Sequence, residues 1–176
     1  MTATKEQVEE HAYACRVAYL RGNPIPAWTG GSLSGLDLSG LNLRGANFKG
    51  LDLSLTNLTH AELRLTDLRG ANLRGAILID AFIREADLSG ADLSGADFKE
   101  ADLYSARLKG AILSGTEFSG SYLRNADLRG TNLRCANLTG ADLKGAILTS
   151  WPPLWVFAAA TAFAVVLLGA YFATGS

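Results

Sequence analysis

Histidine and cysteine are scarce in this sequence, and neither acidic nor basic residues are in excess. Each of these features argues against a class of function. The 176 residues include 2 His and 2 Cys. Cys15 and Cys135 form no Cys-x-x-Cys pair, and we expect no His near either of them, so neither a disulfide framework nor a zinc site is predicted. The 16 basic and 17 acidic side chains leave a net charge of −1. We therefore expect no nucleic-acid partner.

Sequence motifs of catalysis are also absent. There is no Gly-x-Ser-x-Gly and no phosphate-binding loop, and His11 and His60 are the only histidines. Every aspartate downstream of residue 30 falls at a regular position of the repeat described next, which explains its presence without catalysis. We predict that the protein is not an enzyme and has no catalytic residues, no cofactor, no metal and no small-molecule substrate.

The dominant feature is a five-residue repeat that runs without a break over residues 31–150. These 120 residues form 24 blocks, and the third residue of every block is Leu, Ile or Phe. The first residue is small in most blocks, and the fifth is usually Gly. A period of five fits neither an α-helix nor a long strand, and frequent Gly opposes continuous helix. The pattern predicts an all-β solenoid in which the third residues point inward and neighbouring coils pair through their backbones.

Blocks such as Ala91-Asp92-Leu93-Ser94-Gly95 and Ala126-Asp127-Leu128-Arg129-Gly130 follow the pattern A(D/N)LxG. The chain thereby resembles the pentapeptide-repeat family over about two thirds of its length. The resemblance implies a right-handed quadrilateral β-helix with four blocks in each coil, so that 24 blocks would make about six coils. At the usual strand spacing of about 4.8 Å, the rod would be roughly 29 Å long.

Residues 1–30 are predicted to form an N-terminal helix and linker. Thr4 and Gln7 fit a capping box, and the segment from Thr4 to Leu20 places apolar residues on one side of a helix. Because the open end of a solenoid exposes unpaired strand edges, we expect this helix to cover the first coil. Binding of a partner by this helix is the alternative.

Residues 151–176 are predicted to form a C-terminal transmembrane anchor. Residues 154–173 contain no charged side chain and would span about 30 Å as a helix, which matches the hydrocarbon core of a bilayer. Trp151, Trp155 and Tyr171 are placed to anchor the two membrane interfaces. Basic residues precede this segment and none follows it, which predicts a single-pass membrane protein with its repeat domain on the cytoplasmic side. The acidic N-terminal region is not a secretory signal.

One face of the predicted rod departs from the repeat and, together with Ile77 and Ile79 on another face beside it, is our candidate protein-contact patch. With four blocks in a coil, residues twenty apart stack, and the second and fourth residues of each block point outward. Aromatic and Arg side chains are enriched at protein interfaces, and clustered exposed apolar residues suggest a partner. The predicted patch comprises Ile77, Ile79, Phe82, Arg84, Tyr104, Tyr122 and Arg124.

Together these features predict a non-enzymatic, membrane-tethered scaffold or assembly subunit. It would present a rigid β-helix for protein–protein contacts and bind an integral membrane protein or complex. The alternative, implied by the family resemblance, is a DNA-mimicking modulator of a topoisomerase such as gyrase, with a C-terminal helix that forms a dimer. That activity requires an acidic rod, and the stripes of Arg and Lys on the repeat oppose it.

Overall fold

The structure, a computed structural model, describes residues 3–21, 23 and 26–148. Helix α1 spans Lys5–Leu20 and is followed by a continuous winding of very short extended segments. The segments long enough to count as strands are β1, Asp127–Leu128, and β2, Ile147–Leu148, with a 3₁₀ helix at Leu133–Cys135 between them. The predicted transmembrane anchor, including Trp151, Trp155 and Tyr171, lies outside the described residues.

Successive coils pair in parallel with a register of twenty residues. Asp127 of β1 pairs with Ile147 of β2, and single-residue bridges such as Asp37 with Asn57 repeat the same offset along the rod. Three backbone hydrogen bonds carry this register in a regular block. For example, the amide of Leu38 donates to the carbonyl of Asn57 at 2.8 Å, and the amide of Asn57 donates to the carbonyl of Leu36 at 2.9 Å. Four blocks therefore complete one coil, and each coil has four faces and four corners.

The turn at each corner explains the composition of the repeat. The fifth residue has a positive φ, as at Gly90 with 69°, and the amide of the following residue donates to the carbonyl of the third residue. This is the pattern of a type II turn, which favours Gly. The second residue supports the turn with its side chain: Asp92 Oδ1 accepts from the Ser94 amide at 3.0 Å. Such an Asx turn requires an oxygen acceptor, so Asp and Asn are preferred at this position.

The core is a set of stacked ladders of third-position side chains. Leu73, Leu93 and Leu113 are buried, and the rings of Phe98 and Phe118 stack with centroids 5.1 Å apart. Where a hydroxyl residue replaces the small first residue, it is satisfied locally, as Thr56 Oγ1 donates to the Leu53 carbonyl at 2.6 Å. Within the described residues, no buried side-chain nitrogen or oxygen lacks a hydrogen-bond partner. The inward position of the third residues is as predicted.

The block at residues 131–135 breaks the regular backbone although the sequence frame continues. Cys135 takes the place of the usual Gly and does not adopt a positive φ, in contrast to the other fifth residues of the described blocks. The 3₁₀ helix forms here instead, and the Gly115 amide bonds to the Cys135 carbonyl at 2.8 Å, one residue later than the register requires. A residue with a Cβ resists the left-handed conformation, but Leu55 and Leu65 adopt it at the same position, so nothing in the structure explains why the change falls at Cys135.

Helix α1 packs against the first coil. The capping box is formed, since the Thr4 amide donates to Gln7 Oε1 at 2.8 Å and the Gln7 amide donates to Thr4 Oγ1 at 3.2 Å. Val8 and Ala12 are buried in the same apolar cluster as the third-position Leu residues. Arg16 Nη1 donates to the Asn42 carbonyl at 2.8 Å.

The structure offers no helix suited to crossing a bilayer within residues 3–21, 23 and 26–148. The only α-helix there is α1, which has 16 residues and carries charged side chains.

Candidate protein-contact face

The predicted patch lies mostly on one face of the rod, which we name the aromatic face. Its second-position column consists of residues bridged in sequence along the rod, with Phe82 and Tyr122 on either side of Asp102. The Phe82 and Tyr122 side chains are 47% and 51% exposed. A ring has no acceptor for the Asx turn, so these two positions give up a local hydrogen bond that the repeat normally makes. The full column is Asn42, Glu62, Phe82, Asp102, Tyr122 and Asp142.

A shallow groove of about 500 Å³ runs beside the two rings. One wall is the middle of the aromatic column, and the other is the corner that precedes this face. We name this wall the acidic corner, and it consists of His60, Asp80 and Glu100. The groove is lined by His60, Asp80, Phe82, Glu100, Asp102 and Tyr122.

The remaining predicted residues of this face form a second strip, on the side away from the groove. The Arg84 guanidinium lies 4.9 Å from the Tyr104 ring centroid, and its Nε is 3.4 Å from Asp102 Oδ2. Asn125 Nδ2 donates to the Tyr104 hydroxyl at 3.2 Å, and Arg124 Nε is 2.6 Å from Asp142 Oδ2. The predicted patch is thus divided into two strips, which meet at Asp102.

Both corners of the aromatic face carry side chains where the repeat prefers Gly. Among the described residues, eight other than Gly have a positive φ of 55° to 60°, and seven of these lie at the two corners. A left-handed conformation costs a residue with a Cβ roughly 1 kcal/mol relative to Gly. The seven are His60, Asp80 and Glu100 at the acidic corner and Leu65, Glu85, Ser105 and Asn125 at the other, whereas the eighth, Leu55, lies elsewhere.

The sequence prediction missed the acidic corner, although a signal was present. His60, Asp80 and Glu100 interrupt the run of fifth-position Gly, which is as visible in the sequence as the aromatic substitutions. Ile77 lies on the neighbouring face, where the sequence places it, and Ile79 is only partly exposed. Neither residue lines the groove. The role of the patch in binding stays a prediction.

Two ion pairs on the next face lie within single blocks, and Arg107 pairs with Asp87 of the adjacent coil at 3.5 Å. Arg69 and Asp67 are 2.6 Å apart, as are Arg129 and Asp127. The hydrogen bond from Arg69 holds the pKa of Asp67 below its usual value, and that from Arg129 does the same for the pKa of Asp127. Because these charges are satisfied locally, this face has the character of ordinary solvated surface.

The expectation that no His lies near either cysteine is wrong for Cys15, because His11 lies one helical turn before it on α1. In the structure, Cys15 Sγ is 3.4 Å from His11 Nε2. Burial raises the pKa of the Cys15 thiol, and burial also lowers the pKa of His11. The pair is therefore a neutral thiol beside a neutral imidazole, which is not an activated nucleophile. No group of His, Cys, Asp and Glu that could hold a metal occurs among the described residues.

Comparison with known proteins identifies the repeat. The family model of pentapeptide repeats matches residues 29–59, 52–90, 83–120 and 111–149, which is more than half of the chain. No curated protein matches the sequence. The structure of this chain is similar to the solved structure of a pentapeptide repeat protein from the thylakoid lumen of Arabidopsis thaliana. The two sequences are 33% identical, the TM-score is 0.51, and the match covers 61% of this chain and 77% of the other.

Two further solved structures are similar. HetL, a pentapeptide repeat protein involved in heterocyst differentiation regulation in Nostoc sp. strain PCC 7120, is 36% identical, with coverage of 68% of this chain and 58% of HetL and a TM-score of 0.43. QnrB1, a plasmid-mediated fluoroquinolone resistance protein, is 24% identical, with coverage of 65% and 73% and a TM-score of 0.33. The repeat pattern, the register of twenty residues and the family match lead to one conclusion: the chain belongs to the pentapeptide-repeat family, whose fold is the right-handed quadrilateral β-helix.

Proposed function

We propose that this protein is a non-enzymatic scaffold or assembly subunit that is tethered to a membrane by residues 154–173 and binds an integral membrane protein through its aromatic face. Proteins of the family are in general structural or interaction proteins. A rod of about six coils, with helix α1 packed on its first coil, suits this role because its surface is rigid.

The observation that carries the proposal is the concentration of departures from the repeat around one face. Phe82 and Tyr122 replace a residue that would stabilise the turn, and seven left-handed corner residues replace Gly at the borders of the same face. The fold gains nothing from these substitutions, because the inward third residues and the small first residues suffice to build it. Selection for a partner explains why they persist together on one side.

The membrane tether is proposed from the sequence of residues 154–173, which has the length and apolarity of a spanning helix. A tether would confine the rod to the membrane surface. An integral membrane protein is therefore the class of partner that the aromatic face would meet most often.

A consensus-restoring double variant tests the proposed face. Phe82→Asn with Tyr122→Asn supplies the missing Asx-turn acceptors, so we expect thermal stability to be unchanged or slightly higher. Capture of the membrane partner in mild detergent, quantified by mass spectrometry, should fall at least tenfold. Ile112→Asn is the matched control, because Ile112 is a second-position residue, 53% exposed, on a different face. Equal capture by both variants would remove the aromatic face from the proposal.

The DNA-mimicking alternative has one observation in its favour. The face that precedes the acidic corner carries Asp37, Asp97 and Glu117 against Lys99, so this side of the rod is acidic. The aromatic face and the face after it carry rows of Arg and Lys, however, and do not resemble a duplex. Inhibition of DNA supercoiling by gyrase at substoichiometric protein, with no loss in the Phe82→Asn and Tyr122→Asn variant, would favour the alternative.

A further inference from the structure

We propose that the groove beside Phe82 and Tyr122 binds an arginine side chain on a basic segment of the partner protein. This inference rests on the proposed function of the aromatic face and names the chemistry by which that face would recognise its partner.

The spacing of the groove suits a flat cation. Phe82, Asp102 and Tyr122 lie on three successive coils, so the level of Asp102 is one coil spacing, about 4.8 Å, from the level of each ring. A cation is attracted to an aromatic face when it lies within about 6 Å of the ring centroid. A guanidinium inserted at the level of Asp102 would therefore be in range of both rings.

The carboxylates of the groove that lack a Lys or Arg partner are those of the acidic corner. Asp102 is already engaged, since Oδ1 accepts from the Tyr104 amide at 3.1 Å and Oδ2 lies 3.4 Å from Arg84 Nε. Asp80 has only a long contact of 3.9 Å to His60 Nδ1. In the part of the chain that the structure describes, neither Asp80 nor Glu100 forms an ion pair with Lys or Arg. Two carboxylates thus line the wall of the groove, and neither has a Lys or Arg partner among the described residues.

The Glu100 side chain reaches along the rod toward the next coil. Its carboxylate lies over Gly120, where a Cβ would come within 2.1 Å of Glu100 Oε1. Glu100 and Tyr122 both line the groove.

The same face already holds one guanidinium in the proposed manner. Arg84 stacks over Tyr104 and contacts the Asp102 carboxylate, which combines a ring and a carboxylate around one Arg side chain. The groove offers the same two chemical groups, with two rings and two carboxylates. Arginine fits better than lysine, because its planar guanidinium can stack on a ring and still donate in its own plane.

The acidic neighbouring face extends the complementarity. Asp97 and Glu117 lie on the face that precedes the groove, on the side opposite to Arg84 and Arg124, and Lys99 pairs with Asp97 at 3.1 Å. The carboxylate of Glu117 would attract a basic segment from that side. The occupant we infer is therefore an arginine-containing segment of a different protein.

The test uses full-length, ¹⁵N-labelled protein in nonionic detergent and a blocked Gly-Gly-Arg-Gly-Gly peptide. We expect saturable amide shifts at Asp80, Phe82, Glu100, Asp102 and Tyr122. The same peptide with citrulline, which is planar but neutral, should bind at least tenfold more weakly. Asp80→Asn with Glu100→Gln should weaken binding of the arginine peptide at least tenfold, whereas the matched control, Asp97→Asn with Glu117→Gln on the neighbouring face, should bind as the unmodified protein does.

Several results would overturn the inference. Equal binding of the arginine and citrulline peptides would show that charge is not recognised, and equal loss in the two charge variants would show general attraction without a groove. Absence of groove shifts at about 10 mM peptide would rule out even weak binding. Groove shifts on concentrating the protein alone would identify a second copy as the occupant.

The two proposals can fail separately. If the partner is captured through Phe82 and Tyr122 but Asp80→Asn with Glu100→Gln captures it equally well, the protein-contact face stands and arginine recognition is wrong. If the peptide binds as expected but the aromatic substitutions leave capture unchanged, the groove recognises arginine and the partner binds elsewhere.

Discussion

A carboxylate introduced at Leu93 should unfold the middle of the rod, while the same group at Ser114 should have little effect. Leu93 is a fully buried third residue, stacked between Leu73 and Leu113. Ser114 is an exposed fourth residue on the adjacent coil, and its carbonyl accepts the Gly95 amide, a backbone bond that substitution leaves intact.

The expected magnitudes separate three variants. Leu93→Ala removes buried methyl groups and leaves a cavity, which costs about 2–5 kcal/mol. Leu93→Asp adds the desolvation of an unpaired carboxylate, so its cost should exceed that of the alanine variant by several kcal/mol. Ser114→Asp changes only the surface and should stay within about 0.5 kcal/mol of the unmodified protein.

Denaturant unfolding of the full-length protein, followed by circular dichroism in nonionic detergent, measures these differences. The order of free energies of unfolding should be Ser114→Asp, then Leu93→Ala, then Leu93→Asp, from most to least stable. Equal destabilisation by the two aspartate variants would refute the assignment of third residues to the core and fourth residues to the surface.

The remaining predictions concern the two ends of the chain. Removal of residues 151–176 should release the repeat domain from carbonate-washed membranes, and recovery of the full-length protein in the soluble fraction would contradict the tether. Burial lowers the pKa of His11, with an opposing hydrogen bond to the Asn47 carbonyl, so the unfolded chain takes up this proton first as the pH falls. The melting temperature should therefore decline as the pH drops below about 6.5, the ordinary His value, and His11→Gln should decline less. Parallel pH profiles for the two proteins would assign the decline to other groups.

The repeat could be predicted from the sequence because its signals are local and are repeated in every block. Inward Leu, small first residues and Gly corners each follow from the chemistry of one block, and the register of twenty only stacks them. The change at Cys135 could not be predicted in the same way. Leu55 and Leu65 also replace Gly but keep a positive φ. The sequence of a block therefore does not determine which corner loses the left-handed conformation.

The candidate face was predicted only in part. The sequence placed Phe82 and Tyr122 on one column correctly, because the register determines columns. It did not show that Arg84 turns away from the groove toward Tyr104, since side-chain direction at the fourth position depends on the partners within reach. The acidic corner was not predicted, because only the second and fourth residues of each block were expected to point outward, and the corner consists of fifth residues.

The register of twenty residues makes the surface sensitive to the phase of the repeat. Deleting one block after residue 65 would leave every inward Leu in place, yet it would rotate all later residues by a quarter turn and separate Phe82 from the column of Glu62. Deleting four blocks would shorten the rod by one coil, about 4.8 Å, and keep every remaining column aligned. Insertions or deletions of whole blocks can therefore leave folding unaffected and still disrupt the recognition surface. Only changes by multiples of four blocks keep the surface columns aligned.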